Sequence, residues 1–392
     1  VKVRQGCHRT VDNRAKPGLA ESGTSVAIHR VMIRAVLLYT PAGGGHRAAA
    51  TAIANELRAV PGAQVDVVNV LDLAPRWFHY DKAWSLIQRR GAHAWDWLFD
   101  ASDRGTIDLD ALRLPLHRAL FREVDRFLLA RRPTHVVCTH YLPAIAVARV
   151  NAKLRARTVV TITDHQPHRA WLVDGIDTIC VADDATARIV RRRTSVDVRV
   201  TGIPITSAAA APVRAIAHTI ERGRVFALLG GVPRPHAKAA IDSLVSSEHC
   251  LHVVTGVDDE VGAYARARLP NAELAERTDN MLAAIDAADV VVTKAGGLTT
   301  SECLARGRAM VMPFAAPGQE RGNLFYALDA GAAVRPTEPS DVGAVLDELF
   351  AETGRLRRMG ARARAASRPD AARAVAHALL DTARGEVFFR AA

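Results

Sequence analysis

Short apolar runs recur along the chain, each followed by a polar or glycine-containing turn and then by a stretch of helical length. In the first half they cover residues 33–40, 65–70, 134–139, 158–163, 178–182 and 196–201; in the second they cover 225–229, 251–255, 289–293 and 309–314. The runs are continuous rather than alternating. That is the pattern of strands buried on both faces of a parallel sheet, and the strand–helix rhythm makes the fold α/β. The rhythm pauses over residues 206–223, so the chain divides into an N-terminal domain of residues 31–205 and a C-terminal domain of residues 206–368. No repeat of sequence links the halves; only the architecture recurs. Residues 1–30 are polar, basic and without periodicity, and are expected to form a disordered leader, with Met32 directly before the first strand.

Three turns carry candidate chemistry. After the first run, three glycines ending at Gly45 bring His46 to the start of a helix. It then stands at the carboxyl edge of the sheet, where open α/β sheets bind ligands. No Gly-Lys-Ser/Thr follows, so the turn is not a P-loop. At the end of the run 158–163, TDHQPHRAW places Asp164 where it could orient an imidazole or bind hydroxyl groups. In the second half, TKAGGLTTSE passes from a strand through Gly296 and Gly297 into a helix, with Thr299, Thr300 or Ser301 as its cap and Glu302 in its first turn. A helix start behind a glycine turn offers free N–H groups and a positive dipole end, and can hold a diphosphate without a metal. Beyond the next run, PGQERGN carries Gln319, Glu320 and Asn323, whose amides and carboxylate suit hydroxyl groups. One ligand with a diphosphate at one end and a polyol at the other fits this order. No metal site is expected. His165 and His168 lack further ligands, and Asp108-Leu109-Asp110 follows no strand and reads as a helix start.

Charge and composition narrow the partners. The net charge is +11, but only six of the 52 basic residues are lysine. Aromatics are few and show no interleaving with basic residues of the kind a single-strand binder needs, so nucleic acid is not an expected partner; a basic chain also suits an anionic membrane surface. The segment 79–102 gathers Tyr80, Trp84, Trp95 and Trp97 around Arg89 and Arg90, a mixture suited to a membrane interface, with core packing as the alternative. No stretch reaches about 18 uncharged apolar residues. The five cysteines form no CxxC pair, as expected of reduced thiols in a cytoplasmic protein.

The pattern TKAGGLTxSE…PGQExxN, with the Gly-Gly-Gly-His turn, resembles the nucleotide-sugar glycosyltransferases of GT-B architecture. It is most similar to the branch of monogalactosyldiacylglycerol synthases, processive diacylglycerol glucosyltransferases and the peptidoglycan lipid-II N-acetylglucosaminyltransferase. The resemblance covers about residues 33–350. It implies two Rossmann-like domains facing a cleft, with a C-terminal helix within 369–392 returning to the first domain. It also implies inverting transfer of a hexose from a UDP-sugar to a lipid hydroxyl such as that of diacylglycerol, by a protein peripheral to the inner face of the cell membrane. His46 would be the base, with Asp164 its orienter or the second candidate. The donor would meet Gly45, the backbone at Asn280 and Met281, the turn and helix start at Gly296, Gly297, Thr299 and Thr300, and Glu302 through its ribose. Gln319, Glu320 and Asn323 would read the hexose. Tyr80, Trp84, Trp95 and Trp97 would meet acceptor and membrane. The donor is a substrate, and no cofactor is implied. At Gly230-Gly231-Val232-Pro233 the chain departs from the richer glycine loop of the family, and Pro233 and Pro235 remove two backbone donors. Three rival readings share these residues: transfer to a polyprenyl-linked acceptor, a UDP-N-acetylglucosamine 2-epimerase, and a non-catalytic membrane-surface binding protein.

Overall fold

The computed structural model describes residues 32–41, 43–75, 78, 92–105, 116–213, 215–217 and 220–381. The expected leader, Tyr80 and Trp84 lie outside the described residues, and of Trp95 only the backbone is described.

The first half builds one six-stranded parallel sheet from β1 (Arg34–Tyr39), β2 (Gln64–Asn69), β3 (His135–Cys138), β4 (Arg157–Thr161), β5 (Thr178–Val181) and β6 (Asp197–Val200), in the order β2-β1-β3-β4-β5-β6. Its helices are α1 (Gly45–Arg58), α2 (Ala92–Asp103), α3 (Arg122–Arg131), α4 (Tyr141–Leu154) and α5 (Asp184–Arg191). The second half builds another from β7 (Arg224–Leu228), β8 (Cys250–Val254), β9 (Glu273–Ala275), β10 (Val290–Thr293), β11 (Ala309–Val311) and β12 (Ala333–Val334), in the order β12-β11-β10-β7-β8-β9. Its helices are α6 (Arg234–Ser243), α7 (Asp259–Arg268), α8 (Met281–Ala287), α9 (Gly297–Ala305), α10 (Glu320–Asp329), α11 (Val342–Ala351) and α12 (Thr353–Ala366). A last helix, α13 (Ala371–Leu380), follows.

Successive side chains of a strand point to opposite faces, and each central strand here feeds two cores. Val36 and Leu38 of β1 pack with Val136, Val160 and Ile162 over α3 and α4. Ala35 and Leu37 pack on the other face with Ile53 and Leu57 of α1. Val375, Ala376 and Leu379 of α13 join that second cluster, so α13 returns to pack on the first sheet. The second sheet divides in the same way, with Val225 and Ala227 on one side and Phe226 on the other.

Strand order fixes where a ligand can sit. In the first sheet the chain moves from β1 outward to β2, then returns to place β3 on β1's other side. In the second it moves from β7 to β8 and β9, then returns to place β10 beside β7. Turns leaving neighbouring strands at such a reversal diverge and open a crevice at their carboxyl ends. His46 follows β1 and Thr139 follows β3. Gly230 follows β7 and Lys294 follows β10.

Candidate active site

The two crevices meet. A Cβ on Gly45, at the head of α1, would lie 3.4 Å from Leu298 of α9, and Ala49, Leu298 and Ala305 share one buried cluster. A Cβ on Gly297 would collide with the Thr163 carbonyl oxygen, and one on Gly322 would lie 2.6 Å from the Gln166 side chain. Gly297 is therefore glycine because the backbone of the other half passes over it.

On the first side His46 is held by its neighbour strand. The Thr139 hydroxyl donates to the His46 carbonyl at 2.9 Å, and His46 Nδ1 lies 2.6 Å from the Thr139 carbonyl. A carbonyl only accepts, so the ring proton sits on Nδ1 and Nε2 keeps its lone pair. Burial pulls the imidazole down to about 4, against the Thr139 bond that favours the charged form. His140, packed edge-on at 4.7 Å between centroids, is held well below its ordinary value by burial and by His46, and the Trp171 ring lies 6.3 Å from His46 and 5.9 Å from His140. Asp164 is not the orienter expected from the sequence: the Nδ1 partner is a backbone carbonyl. Asp164 Oδ1 instead accepts from the Asn323 amide at 2.8 Å, and burial pushes its carboxyl up to about 6, with the Asn323 bond opposing.

On the second side the expected cap is corrected. Helix α9 begins at Gly297 behind Gly296, with no side-chain cap; Ser301 turns back onto the Gly297 carbonyl at 2.8 Å. Glycine can occupy a helix start without steric cost, so the cap position lies five residues ahead of Ser301 and the first N–H groups have no side-chain acceptor. Thr300 is fully buried, its N–H bonds the Gly296 carbonyl at 2.9 Å and its hydroxyl has no partner among the described residues; Thr299 is half-exposed. Glu302 stands in the second turn, half-buried. Its carboxylate has no hydrogen bond or ion pair among the described residues, and burial pushes it up to about 7.

Asn323 is completely buried and uses its whole amide on the protein. It donates to Asp164 and, at 3.0 Å, to the Ala295 carbonyl, and it accepts from the His165 N–H at 2.8 Å. It pins the halves together and has nothing left with which to read a sugar. Glu320 is likewise engaged, by Lys294 and by the Ala316 N–H at 2.7 Å. Gln319 is half-buried at the start of α10 with no side-chain cap bond. The Asn280 side chain caps α8 through the Ala283 N–H at 3.0 Å, which leaves the backbone of Asn280 and the half-buried Met281 as contact points. His165 and His168 part company, His165 to Asp183 at 2.5 Å and His168 to Ser102 and the Phe99 carbonyl. Among the described residues no cluster of three metal-ligating side chains forms.

Sequence reasoning passed over Thr139, His140, Trp171 and Lys294. Only strand order could have raised Thr139 and Lys294, since each directly follows the strand that returns to the reversal point. Lys294 lies across Gly231, where a Cβ would sit 3.3 Å from its Cε, and so puts a cation between the two glycine turns. At the altered loop, Pro233 occupies the cap position of α6, and a cavity of about 420 Å³ opens between Gly231–Pro235 and Thr255–Val261.

Residues 46–205 match the family model described as monogalactosyldiacylglycerol (MGDG) synthase. The chain is 24% identical over 370 residues to monogalactosyldiacylglycerol synthase 2, chloroplastic, of Arabidopsis thaliana, covering 86% of this chain and 78% of that protein. It is 36% identical over 129 residues to the UDP-N-acetylglucosamine–N-acetylmuramyl-(pentapeptide) pyrophosphoryl-undecaprenol N-acetylglucosamine transferase of Halorhodospira halophila, a match spanning 31% of this chain and 36% of that one. The processive diacylglycerol beta-glucosyltransferase of Staphylococcus haemolyticus is 22% identical over 59% of this chain and 63% of its own length. Among solved structures, Acinetobacter baumannii MurG superposes with a TM-score of 0.59 at 17% identity, over 88% of this chain and 99% of that one. A Neisseria meningitidis UDP-GlcNAc 2-epimerase gives 0.58 at 11%, over 89% and 100%, a likeness of fold alone. Its two six-stranded parallel sheets have the GT-B architecture, and the chain is similar to the monogalactosyldiacylglycerol synthases, the processive diacylglycerol glucosyltransferases and the lipid-II N-acetylglucosaminyltransferases.

Proposed function

We propose that the protein transfers a hexose from a UDP-sugar to a lipid hydroxyl, with diacylglycerol as acceptor and with inversion at the anomeric carbon. The observation that carries this reading is His46, an imidazole kept neutral with its proton on Nδ1, opposite the open start of α9. In the reaction Nε2 takes the acceptor's hydroxyl proton while the acceptor oxygen bonds to the anomeric carbon and the bond from that carbon to UDP breaks. The leaving diphosphate meets the first N–H groups of α9 and the ammonium of Lys294, released from Glu320 as the donor enters. The freed Glu320 then stands beside Gln319 at the sugar. Glu302, bare in the structure, receives the ribose diol with its two acceptor oxygens. Asp164 remains the second candidate for the base.

The relatives named for diacylglycerol and galactolipid products support a lipid acceptor, and a lipid acceptor supports a place at the cytoplasmic face of the cell membrane. No described helix is long and apolar enough to cross a membrane. Incubation with each labelled UDP-hexose and a total lipid extract tests the proposal: label in a glycolipid supports it, and the lipid that takes label separates diacylglycerol from a polyprenyl carrier. Turnover of donor with no lipid present would instead make the protein an epimerase or a hydrolase.

A further inference from the structure

Helices α2 and α10 come from different halves and meet beside the site, and their outer faces take no part in it. Trp97 on α2 is 63% exposed and Phe325 on α10 is 57% exposed, the only aromatic residues among the exposed large hydrophobics of the described chain. The helices are joined by an ion pair, Arg321 Nη2 to Asp100 Oδ1, at 2.6 Å. Trp97 precedes Asp100 by three residues and Phe325 follows Arg321 by four, so each aromatic lies one turn from the bridge on the same face of its helix. The junction is packed beneath: a Cβ on Gly318 would lie 2.8 Å from the buried Phe99 ring. Exposed arginines flank it. Arg104 lies two turns past Trp97 on the same face, and Arg169 is held beside the end of α2 through its N–H to Asp103 at 2.8 Å.

We propose that this surface is a membrane-docking face assembled from both halves, complete only when they are closed on each other. Trp97 and Phe325 enter the boundary between headgroups and acyl chains, and the arginines take anionic headgroups. The proposal rests on the lipid-acceptor reading above, and it assigns Phe325, in the donor half, a role that the sequence did not indicate. Its consequence is coupling. An open molecule presents the two aromatics apart and a closed one presents them together, so the bilayer binds the closed form better and draws the protein toward it. The acceptor is then met by a donor site already shut.

The test is flotation of the full chain with phosphatidylglycerol–phosphatidylcholine vesicles. Phe325→Ala is expected to lower partitioning about tenfold, the size of half-burying a large apolar side chain, and Phe325→Trp to preserve it. Arg321→Asp is expected to weaken partitioning although it removes no aromatic, and Asp100→Arg together with Arg321→Asp to restore it at unchanged net charge. UDP affinity of Phe325→Ala without vesicles is expected to match wild type, which shows that the variant is folded. Partitioning indifferent to Phe325 overturns the proposal, as does a folded charge-swap variant that stays unbound, or a concentration-dependent dimer that Phe325→Ala dissolves. The two readings fail separately. If vesicles bind through Phe325 but no lipid takes sugar, the acceptor reading falls; if lipid is glycosylated by a protein whose flotation ignores Phe325, only the docking face falls.

Discussion

Replacing Glu302 by Gln should make the protein more stable and a worse ligand for UDP at once. The carboxyl has lost much of its hydration to burial and has no partner, so it titrates at about 7 rather than 4.5. Between these values the folded chain holds a proton that the unfolded chain has released, so stability is highest below about pH 4.5 and falls until about pH 7. Once the group is ionised in both states the cost amounts to at most about 3 kcal/mol. Gln keeps the volume and carries no charge. In urea denaturation, Glu302→Gln should therefore be more stable than wild type by about 1–3 kcal/mol at pH 8, with a gap that closes toward pH 4. The same variant should bind UDP more weakly by about 1.5–3 kcal/mol if the ribose hydroxyls donate to the carboxylate. Two curves that coincide at both pH values would show that the carboxyl is well solvated. A stabilised variant with unchanged UDP affinity would leave the desolvation in place and remove the ribose.

His46→Ala should lower kcat by about 10²–10⁴ while UDP affinity stays near wild type, and the acid limb of kcat belonging to His46 should lie near pH 4; a limb near pH 6 that vanishes in Asp164→Asn would move the base to Asp164. Lys294→Met should cost about 10²–10³ in kcat and also destabilise, because Glu320 stays buried with one donor fewer; adding Glu320→Gln should recover the stability and not the rate, and recovery of both would make the pair purely structural. UDP binding measured in chelator should equal binding without it, since Lys294 and the start of α9 supply the counter-charge; loss of binding would place a cation in the site. Asn323→Asp puts a second carboxyl against Asp164 and removes the donor that holds it, so it should destabilise by about 3 kcal/mol or more at pH 8 and less at pH 5; equal effects at both pH values would mean that Asp164 stays protonated.

The sheets were legible because their strands are apolar on both faces. A run such as AVLLY admits few other readings once a glycine turn and a helix follow it. The site was legible only where a residue's role is local. His46 is aimed by its own turn. The failures are residues whose role is set by segments far from them in the sequence. Asn323 in a polar turn looks free to read a sugar until Asp164 and His165, some 160 positions earlier, take up its amide. Asp164 looks free to orient an imidazole until the carbonyl after β3 is found doing so. Lys294 is one of a handful of lysines and carries no signal until the strand order sets it between two glycine turns.

The docking of α13 beside α1 governs how the molecule can be made. Leu37, Ile53 and Leu57 share their core with Val375 and Leu379, so the first sheet lacks one wall until the far end of the second half has been synthesised. At about 5–20 residues per second the stretch from 205 to 380 takes on the order of 10–35 s to emerge. Throughout that interval the nascent first half presents an apolar groove shaped for a helix not yet made. Separate expression of residues 32–205 should give an aggregating product, and adding the 369–381 segment as a free peptide should be the simplest rescue.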